Sequence, residues 1–258
     1  MTNKEPNILF LLPQYGGTVT TPFFESMLEW AQMAGDYGVK WNWLIDEGAT
    51  LLPMARSQLV QLAMELDDWT HICMVDNDMG WTPKDLCDLV FADKDIVGAL
   101  APVKTYPLSV NSSTEYARGI YEWEGPLAKC KYIGSGMMVI KRESIKKMHD
   151  FYRDTLTFRT VDGHRGEQKF KNVVDLFACV TNGMHEDAPD LYLSEDYAFC
   201  QRARDAGLEV WSHTTVNPSH TGQHTFSFQE EVKMLRRYQN RSERQKRTPV
   251  RRRKKTTE

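Results

Sequence analysis

The stretch His71-Ile72-Cys73-Met74-Val75-Asp76-Asn77-Asp78-Met79-Gly80-Trp81-Thr82-Pro83 decides the fold. His71–Val75 is a short apolar run, the signature of a strand buried on both faces. It runs without a spacer into Asp76-Asn77-Asp78. Thr82-Pro83 then opens a helix expected through Phe91, with Thr as cap and Pro at the first position. The next apolar run, Ile96–Leu100, predicts another strand. Upstream the alternation repeats. Asn7–Leu12 predicts a buried strand, Gly16-Gly17 a loop, and Thr21-Pro22 a helix with Thr21 as cap and Phe23, Phe24, Met27, Leu28 and Ala31 at helical spacing. Val39–Ile45 alternates as a strand, and Pro53 to about Leu66 reads as a helix with Leu59, Leu62, Ala63 and Leu66 on one face. Four strand–helix alternations in 100 residues predict βαβ units and an α/β sheet.

The second half is less regular. Tyr132–Ile140 predicts a strand interrupted by Gly134-Ser135-Gly136, and Lys141–Asp150 a helix. Thr155–Val173 is a long polar loop. Ser194–Ala206 predicts a helix ended by Gly207, then a strand at Leu208–Trp211 and a last amphipathic helix at Phe226–Gln239. A single domain over 1–240 is expected, followed by a disordered tail at 241–258.

The tail is basic. From Arg236 to the end stand 11 Lys and Arg against 2 acids, a charge of +9, which leaves −12 on the preceding 235 residues. A solvated mobile terminus and a polyanion contact both account for this split. The last ten residues hold no aromatic side chain, so contact there with nucleic acid would be phosphate-directed and blind to sequence. Apolar runs are far too short to span a bilayer, and no basic start followed by a long apolar stretch suggests a signal peptide. Five scattered cysteines, never CxxC, argue against a disulfide framework and fit a reducing cytoplasm.

Two carboxylates two residues apart at the end of a parallel strand lie where α/β sheets bind ligands. Their oxygens suit a hard divalent cation bridging a diphosphate. A helix-capping acidic turn is the plainer account. An EF-hand loop is excluded, because Gly80 falls at position 5 and Cys87 at position 12. Ser194-Glu195-Asp196-Tyr197 opens a helix with two acids. The helix dipole alone favours them there, and a general base aimed at an acceptor hydroxyl is the functional alternative. Pro218-Ser219-His220-Thr221-Gly222 puts a histidine in a loop after the last strand.

In their order, Ala55-Arg56, Val75-Asp76-Asn77-Asp78, Gly134-Ser135-Gly136-Met137, Ser194-Glu195-Asp196-Tyr197 and His220-Thr221-Gly222 resemble the GT-A glycosyltransferases, particularly the family 2-like enzymes. The resemblance spans about Asn7 to Phe226. It implies a GT-A, Rossmann-like, mixed but mainly parallel sheet flanked by helices. It implies a nucleoside-diphosphate sugar donor, a UDP-sugar favoured, with Mn2+ or Mg2+. Pro13, Gln14 and Tyr15 would border the nucleobase, and Arg56 would lie near the nucleotide or its phosphates. Asp76 would face ribose and metal, with Asn77 beside it. Asp78 would bind the metal and His220 would complete its shell. Gly134, Ser135 and Gly136 would let backbone approach donor or acceptor, a β-bulge being the plainer account. Asp196 would be the catalytic base and Glu195 would hydrogen-bond neighbouring groups. Direct displacement with inversion is expected.

Pro102-Val103-Lys104-Thr105-Tyr106-Pro107 is positioned to line the pocket, with Lys104 either on phosphate or solvated. The loop Thr155–Val173, with His164, Arg165 and Lys169, reads as a lid, an acceptor insertion or an ordinary solvated segment. Some bacteriophage glycosyltransferases act on hydroxymethylated DNA bases, and the basic tail makes such an acceptor one expectation, in a host cytoplasm. A polysaccharide or lipid-linked acceptor is the rival, with the tail on an anionic membrane. A sugar nucleotidyltransferase fits less well, because Gln14-Tyr15-Gly16-Gly17-Thr18 brings no Lys or Arg to a phosphate loop. A degenerate domain that binds nucleic acid without catalysis is the non-enzymatic alternative.

Overall fold

The computed structural model describes residues 5–48, 50–104, 122–158, 172–180 and 191–222. Its elements in chain order are β1 (Asn7–Gln14), α1 (Thr21–Met33), β2 (Lys40–Glu47), α2 (Leu52–Met64), β3 (His71–Val75), β4 (Met79–Gly80), α3 (Pro83–Val90), β5 (Ile96–Ala99), β6 (Trp123–Glu124), β7 (Leu127–Cys130), β8 (Met137–Lys141), α4 (Arg142–Tyr152), β9 (Thr157–Phe158), β10 (Val173–Val174), α5 (Glu195–Asp205), β11 (Val210–His213) and β12 (Ser219–His220). The chain divides into two compact units, 1–221 and 222–258, and all these elements belong to the first. The expected helix Phe226–Gln239, the tail 241–258 and His164, Arg165 and Lys169 lie outside the described residues. No helix among the described residues is long and apolar enough to cross a membrane.

Eight strands form one sheet in the order β2-β1-β3-β8-β5-β11-β7-β6. β1 pairs parallel with β2 and β3, and β11 pairs parallel with β5. β8 inserts antiparallel between β3 and β5. β7 runs antiparallel to β11 and β6. Six of the eight strands therefore point the same way, which makes this a mixed, mainly parallel, Rossmann-like α/β sheet.

The period of two in strands splits the core into two layers. Leu9 and Leu11 of β1, with Ile72 and Met74 of β3, face Leu59, Val60, Met148, Phe199 and Ala203. Ile8, Phe10 and Leu12 face Phe23, Met27, Trp30, Leu86 and Val90. Helices α2, α4 and α5 thus cover one face, and α1 and α3 the other. The chain moves one way across the sheet from β1 to β2 and back past β1 to β3. Crossovers of constant hand then put α1 and α2 on opposite faces. β1 and β3 are consequently neighbours whose chains leave in opposite directions, the place where such sheets open a crevice at their carboxyl ends.

Several expectations need correction. The cap of α1 is Thr20, with Thr21 and Pro22 inside the first turn, because the Thr20 carbonyl accepts the first helical bond from Phe24 N at 3.0 Å. The buried face of α2 carries Ala55, Arg56, Leu59, Val60 and Ala63, whereas Leu66 lies beyond the helix and is exposed. Gly134-Ser135-Gly136 does not interrupt a strand. It precedes β8, whose first residue is Met137. β6 and β7 were not expected. They form a hairpin whose turn residue Gly125 takes a positive φ of 58°, and their signal is the Gly-Pro break between Trp123-Glu124 and Leu127. The helix at Thr82-Pro83 is as expected, with a reciprocal capping box between Thr82 and Asp85.

Candidate functional site

Asp76, Asn77 and Asp78 follow β3 at its carboxyl end. Asn77 serves the architecture. Its Nδ2 donates to the Thr18 carbonyl at 2.7 Å, and its own carbonyl accepts Thr20 N at 3.0 Å. The Gln14 Nε2 reaches the same Thr18 carbonyl at 3.3 Å. Asn77 and Gln14 together pin the β1–α1 loop against the loop after β3. Pro13 is buried in β1, and Tyr15 stands 73% exposed beyond it.

Asp76 is held from two sides. Arg56 Nη2 donates to its Oδ1 at 2.7 Å, and its backbone N–H donates to the Gly136 carbonyl at 3.0 Å. A Cβ on Gly136 would lie 3.3 Å from Asp76 Oδ2. The absence of a Cβ at Gly136 therefore leaves room at that carboxylate; Ser135 itself is buried. Arg56 is only 1% exposed, yet its Nε and Nη1 have no hydrogen-bond partner. A buried guanidinium with two unused donors is costly in a finished interior. It is the donor set expected where an anionic ligand completes the bonding.

Asp78 is joined to His220 through a two-stranded ribbon. β12 pairs antiparallel with β4, His220 opposite Met79 and Ser219 opposite Gly80. Thr221 N donates to the Asp78 carbonyl at 2.9 Å. The ribbon needs Gly80, since a Cβ there would fall 2.5 Å from Ser219 Oγ and 2.8 Å from Pro22 Cβ. His220 Nδ1 lies 2.8 Å from the Pro102 carbonyl, which can only accept. Nδ1 therefore carries the proton, and in the neutral ring Nε2 presents a lone pair. That nitrogen lies 3.3 Å from Asp78 Oδ1. Oδ1 is buried and makes no hydrogen bond, so the contact is one of proximity without bonding geometry. Two acceptors facing each other require a cation or a proton between them. A carbonyl fixing the far nitrogen of an imidazole is also how metal-ligating histidines are held. Asp78 and His220 thus fit a divalent cation.

Asp76 is not shown joining them. Among the described residues no three His, Cys, Asp or Glu side chains group as a metal site. The Lys104 ammonium bonds Asp78 Oδ2, so its partner is a carboxylate rather than bulk solvent.

Ser194 caps α5, and Glu195 and Asp196 fill its first turn. Asp196 is buried. Its Oδ1 accepts from Ser194 Oγ and from Tyr197 N, the latter at 2.8 Å. Burial raises the Glu195 carboxyl above its ordinary range. The neighbouring charges of Asp196 and Asp76 add to the rise, and Arg56 opposes it. Glu195 therefore shares one electrostatic environment with the Arg56–Asp76 pair. Arg202, which no sequence motif singles out, holds α5 in place. Its buried Nη1 donates to the carbonyls of Leu176 and Ala178 at 3.0 and 2.7 Å. Ser57 Oγ donates to Asp175 Oδ1 at 2.8 Å and accepts Phe177 N at 3.2 Å. One short segment thereby ties α2, which bears Arg56, to α5, which bears Glu195.

No protein-family model matches the chain, and no curated protein matches it. Solved structures do. A197 from STIV is 13% identical over 84% of this chain and 86% of that one, with a TM-score of 0.48. The catalytic domain of Drosophila beta1,4galactosyltransferase 7, in complex with xylobiose, is 15% identical over 89% and 79%, with a TM-score of 0.46. GalNAc-T7 with UDP, GalNAc and Mn2+ is 10% identical over 86% of this chain but 45% of that one, with a TM-score of 0.44. Each is a distant likeness to this chain.

Proposed function

We propose that this chain is a divalent-cation-dependent glycosyltransferase of the GT-A, family 2-like kind. It would move a sugar from a nucleoside-diphosphate donor, a UDP-sugar favoured, to an acceptor hydroxyl. The observation that carries this reading is the buried Asp78 Oδ1, which has no hydrogen bond and lies 3.3 Å from His220 Nε2 at the carboxyl end of β3. Asp78 and His220 would hold Mn2+ or Mg2+, with Asp76 alongside. When bound, the cation neutralises charge developing on the departing diphosphate.

The chain's own residues do the rest. Arg56 offers its unpartnered Nε and Nη1 to a phosphate or a sugar hydroxyl. Pro13, Gln14 and Tyr15 border the nucleobase. Gly134–Gly136 admits the donor against backbone. Asp196, steadied by Ser194 and Tyr197 N–H, takes the acceptor proton as the acceptor oxygen bonds the anomeric carbon. The bond from that carbon to the diphosphate breaks at the same time, its electron pair leaving with the diphosphate, and the anomeric centre inverts. Glu195 hydrogen-bonds acceptor or donor hydroxyls.

Isothermal titration with UDP and GDP, each with and without Mn2+, tests the site on wild type and Asp78→Ala. Cation-dependent binding of UDP that the substitution abolishes is the expected result. Binding indifferent to both cation and substitution overturns it. For the acceptor we propose DNA bearing hydroxymethylated bases, supported by the +9 charge from Arg236 onward. Full-length protein should bind duplex DNA with a steep salt dependence that a chain ending at Tyr238 lacks. Equal binding by both would remove DNA, and flotation of the full-length chain on anionic vesicles would favour a lipid-linked acceptor.

A further inference from the structure

Lys104 lies against the Asp78–His220 pair. It follows β5 closely, and its ammonium bonds Asp78 Oδ2. Two residues earlier the Pro102 carbonyl accepts from His220 Nδ1 at 2.8 Å. The three residues 102–104 therefore grip both members of the Asp78–His220 pair, the carboxylate by a side chain and the imidazole by a backbone carbonyl. The grip leaves Asp78 Oδ1 without a hydrogen bond, 3.3 Å from His220 Nε2. Lys104 balances the charge of Asp78 without filling that gap.

The ion pair is also easily broken. The Lys104 side chain is 39% exposed, and exposed pairs contribute little to stability because water and salt screen them. An ammonium is a strongly hydrated point charge on a flexible stem, able to exchange one anionic partner for another nearby.

We propose that Lys104 is a resident counter-cation of Asp78, that a divalent cation displaces it, and that the released ammonium then binds the donor diphosphate. The inference rests on the cation-dependent donor site proposed above. It gives Lys104 two opposed effects. It competes with the cation when no donor is present, and it assists the donor once the cation is bound. Swapping one anionic partner for another keeps the Lys104 ammonium paired before the cation binds and after the donor arrives. Without this exchange the added diphosphate would have only the dication and Arg56 as positive partners.

The two effects have opposite signs in binding, which a merely structural lysine would not produce. Free Mn2+ is followed by electron paramagnetic resonance on wild type, Lys104→Met, Lys104→Arg and Asp78→Ala, and UDP is then titrated calorimetrically at saturating Mn2+. Lys104→Met should bind Mn2+ about 3- to 5-fold tighter, the scale of removing one exposed ion pair. At saturating Mn2+ it should bind UDP about 10-fold more weakly, the scale of removing one charge-assisted hydrogen bond. Lys104→Arg should move both values back toward wild type. Unchanged or weaker Mn2+ binding by Lys104→Met overturns the competition, and unchanged UDP affinity overturns the handover. Mn2+ binding that is absent from wild type, or that survives Asp78→Ala, overturns the cation site itself and with it the proposed function.

Discussion

Arg56 and Asp76 meet at 2.7 Å, Nη2 to Oδ1, with the guanidinium 1% exposed and the carboxylate 29% exposed. One end of the pair is interior and the other faces the crevice. Removing the buried partner of such a pair typically costs 3–5 kcal/mol, and the partial hydration of Asp76 lowers that figure. Arg56→Ala should therefore lose about 2–4 kcal/mol of stability in denaturant unfolding. Arg56→Lys should recover much of that loss while remaining deficient in nucleotide affinity, because one ammonium cannot replace Nη2 together with Nε and Nη1. A lysine variant with full nucleotide affinity would show that the two unpartnered nitrogens do not bind the ligand.

Gly80→Ala tests the ribbon that presents His220. The new Cβ would approach Ser219 Oγ to 2.5 Å and Pro22 Cβ to 2.8 Å. The serine hydroxyl can rotate aside, but Pro22 lies in the first turn of α1 and is fixed at the backbone. The variant should lose about 1–3 kcal/mol, the usual cost of overpacking. Its Mn2+ affinity should fall as well, since β12 must move to relieve the contact. Adding Ser219→Ala should restore only part of the stability. Full recovery in the double variant would mean that Pro22 yields.

His71 opens the strand that ends at Asp76. Burial lowers its pKa to about 4, helped by the nearby Lys141 charge and opposed by Glu143 and Asp93. The folded ring resists protonation that the unfolded chain accepts near 6.5. The unfolded state thus binds more protons between these values, and stability falls as pH drops from about 6.5 to 4. The swing attributable to His71 is roughly 3 kcal/mol. Urea unfolding of wild type and His71→Asn across that range should show a shallower acid slope in the variant. Parallel slopes would assign the acid sensitivity elsewhere.

How far the sequence carried this picture differs between its parts. β1, β3 and α3 were legible because each combines a local signal with a buried environment. Asn7–Leu12 and His71–Val75 are apolar runs buried on both faces, and Thr82 with Asp85 caps its own helix. Asp78 and His220 were legible as ligating types. Their meeting was not, because it depends on pairing β4 with β12, two-residue strands about 140 positions apart. The antiparallel insertion of β8 was hidden for a related reason. A strand buried on both faces reads the same in either direction. Arg56 is the sharpest contrast, since nothing local separates a solvated helix arginine from one sealed under a sheet.

Glu195→Gln separates stability from function. Burial is the first cause of the raised carboxyl pKa, and the like charges of Asp196 and Asp76 add to it. Ionised Glu195 is thus less favourable in the folded protein than in the unfolded chain. Between the unfolded value near 4.5 and the higher folded value, the folded state holds more protons. Stability therefore declines as pH rises through that window and stays lower above it. A glutamine of the same shape carries no charge to bury, so Glu195→Gln should melt higher than wild type at pH 7–8, with the difference fading toward pH 4. Each 1 kcal/mol recovered should raise Tm by about 2–4 °C in a chain of this size. If Glu195 also hydrogen-bonds substrate hydroxyls as a carboxylate, the stabilised variant should transfer sugar at least 10-fold more slowly, the scale of removing one charged hydrogen bond. Asp196→Asn should differ. Its Oδ1 keeps its role as acceptor for Ser194 and Tyr197 N–H, so the fold should persist while transfer falls by about 100-fold or more, as loss of a general base predicts. Equal and small losses in both variants would move the base away from α5.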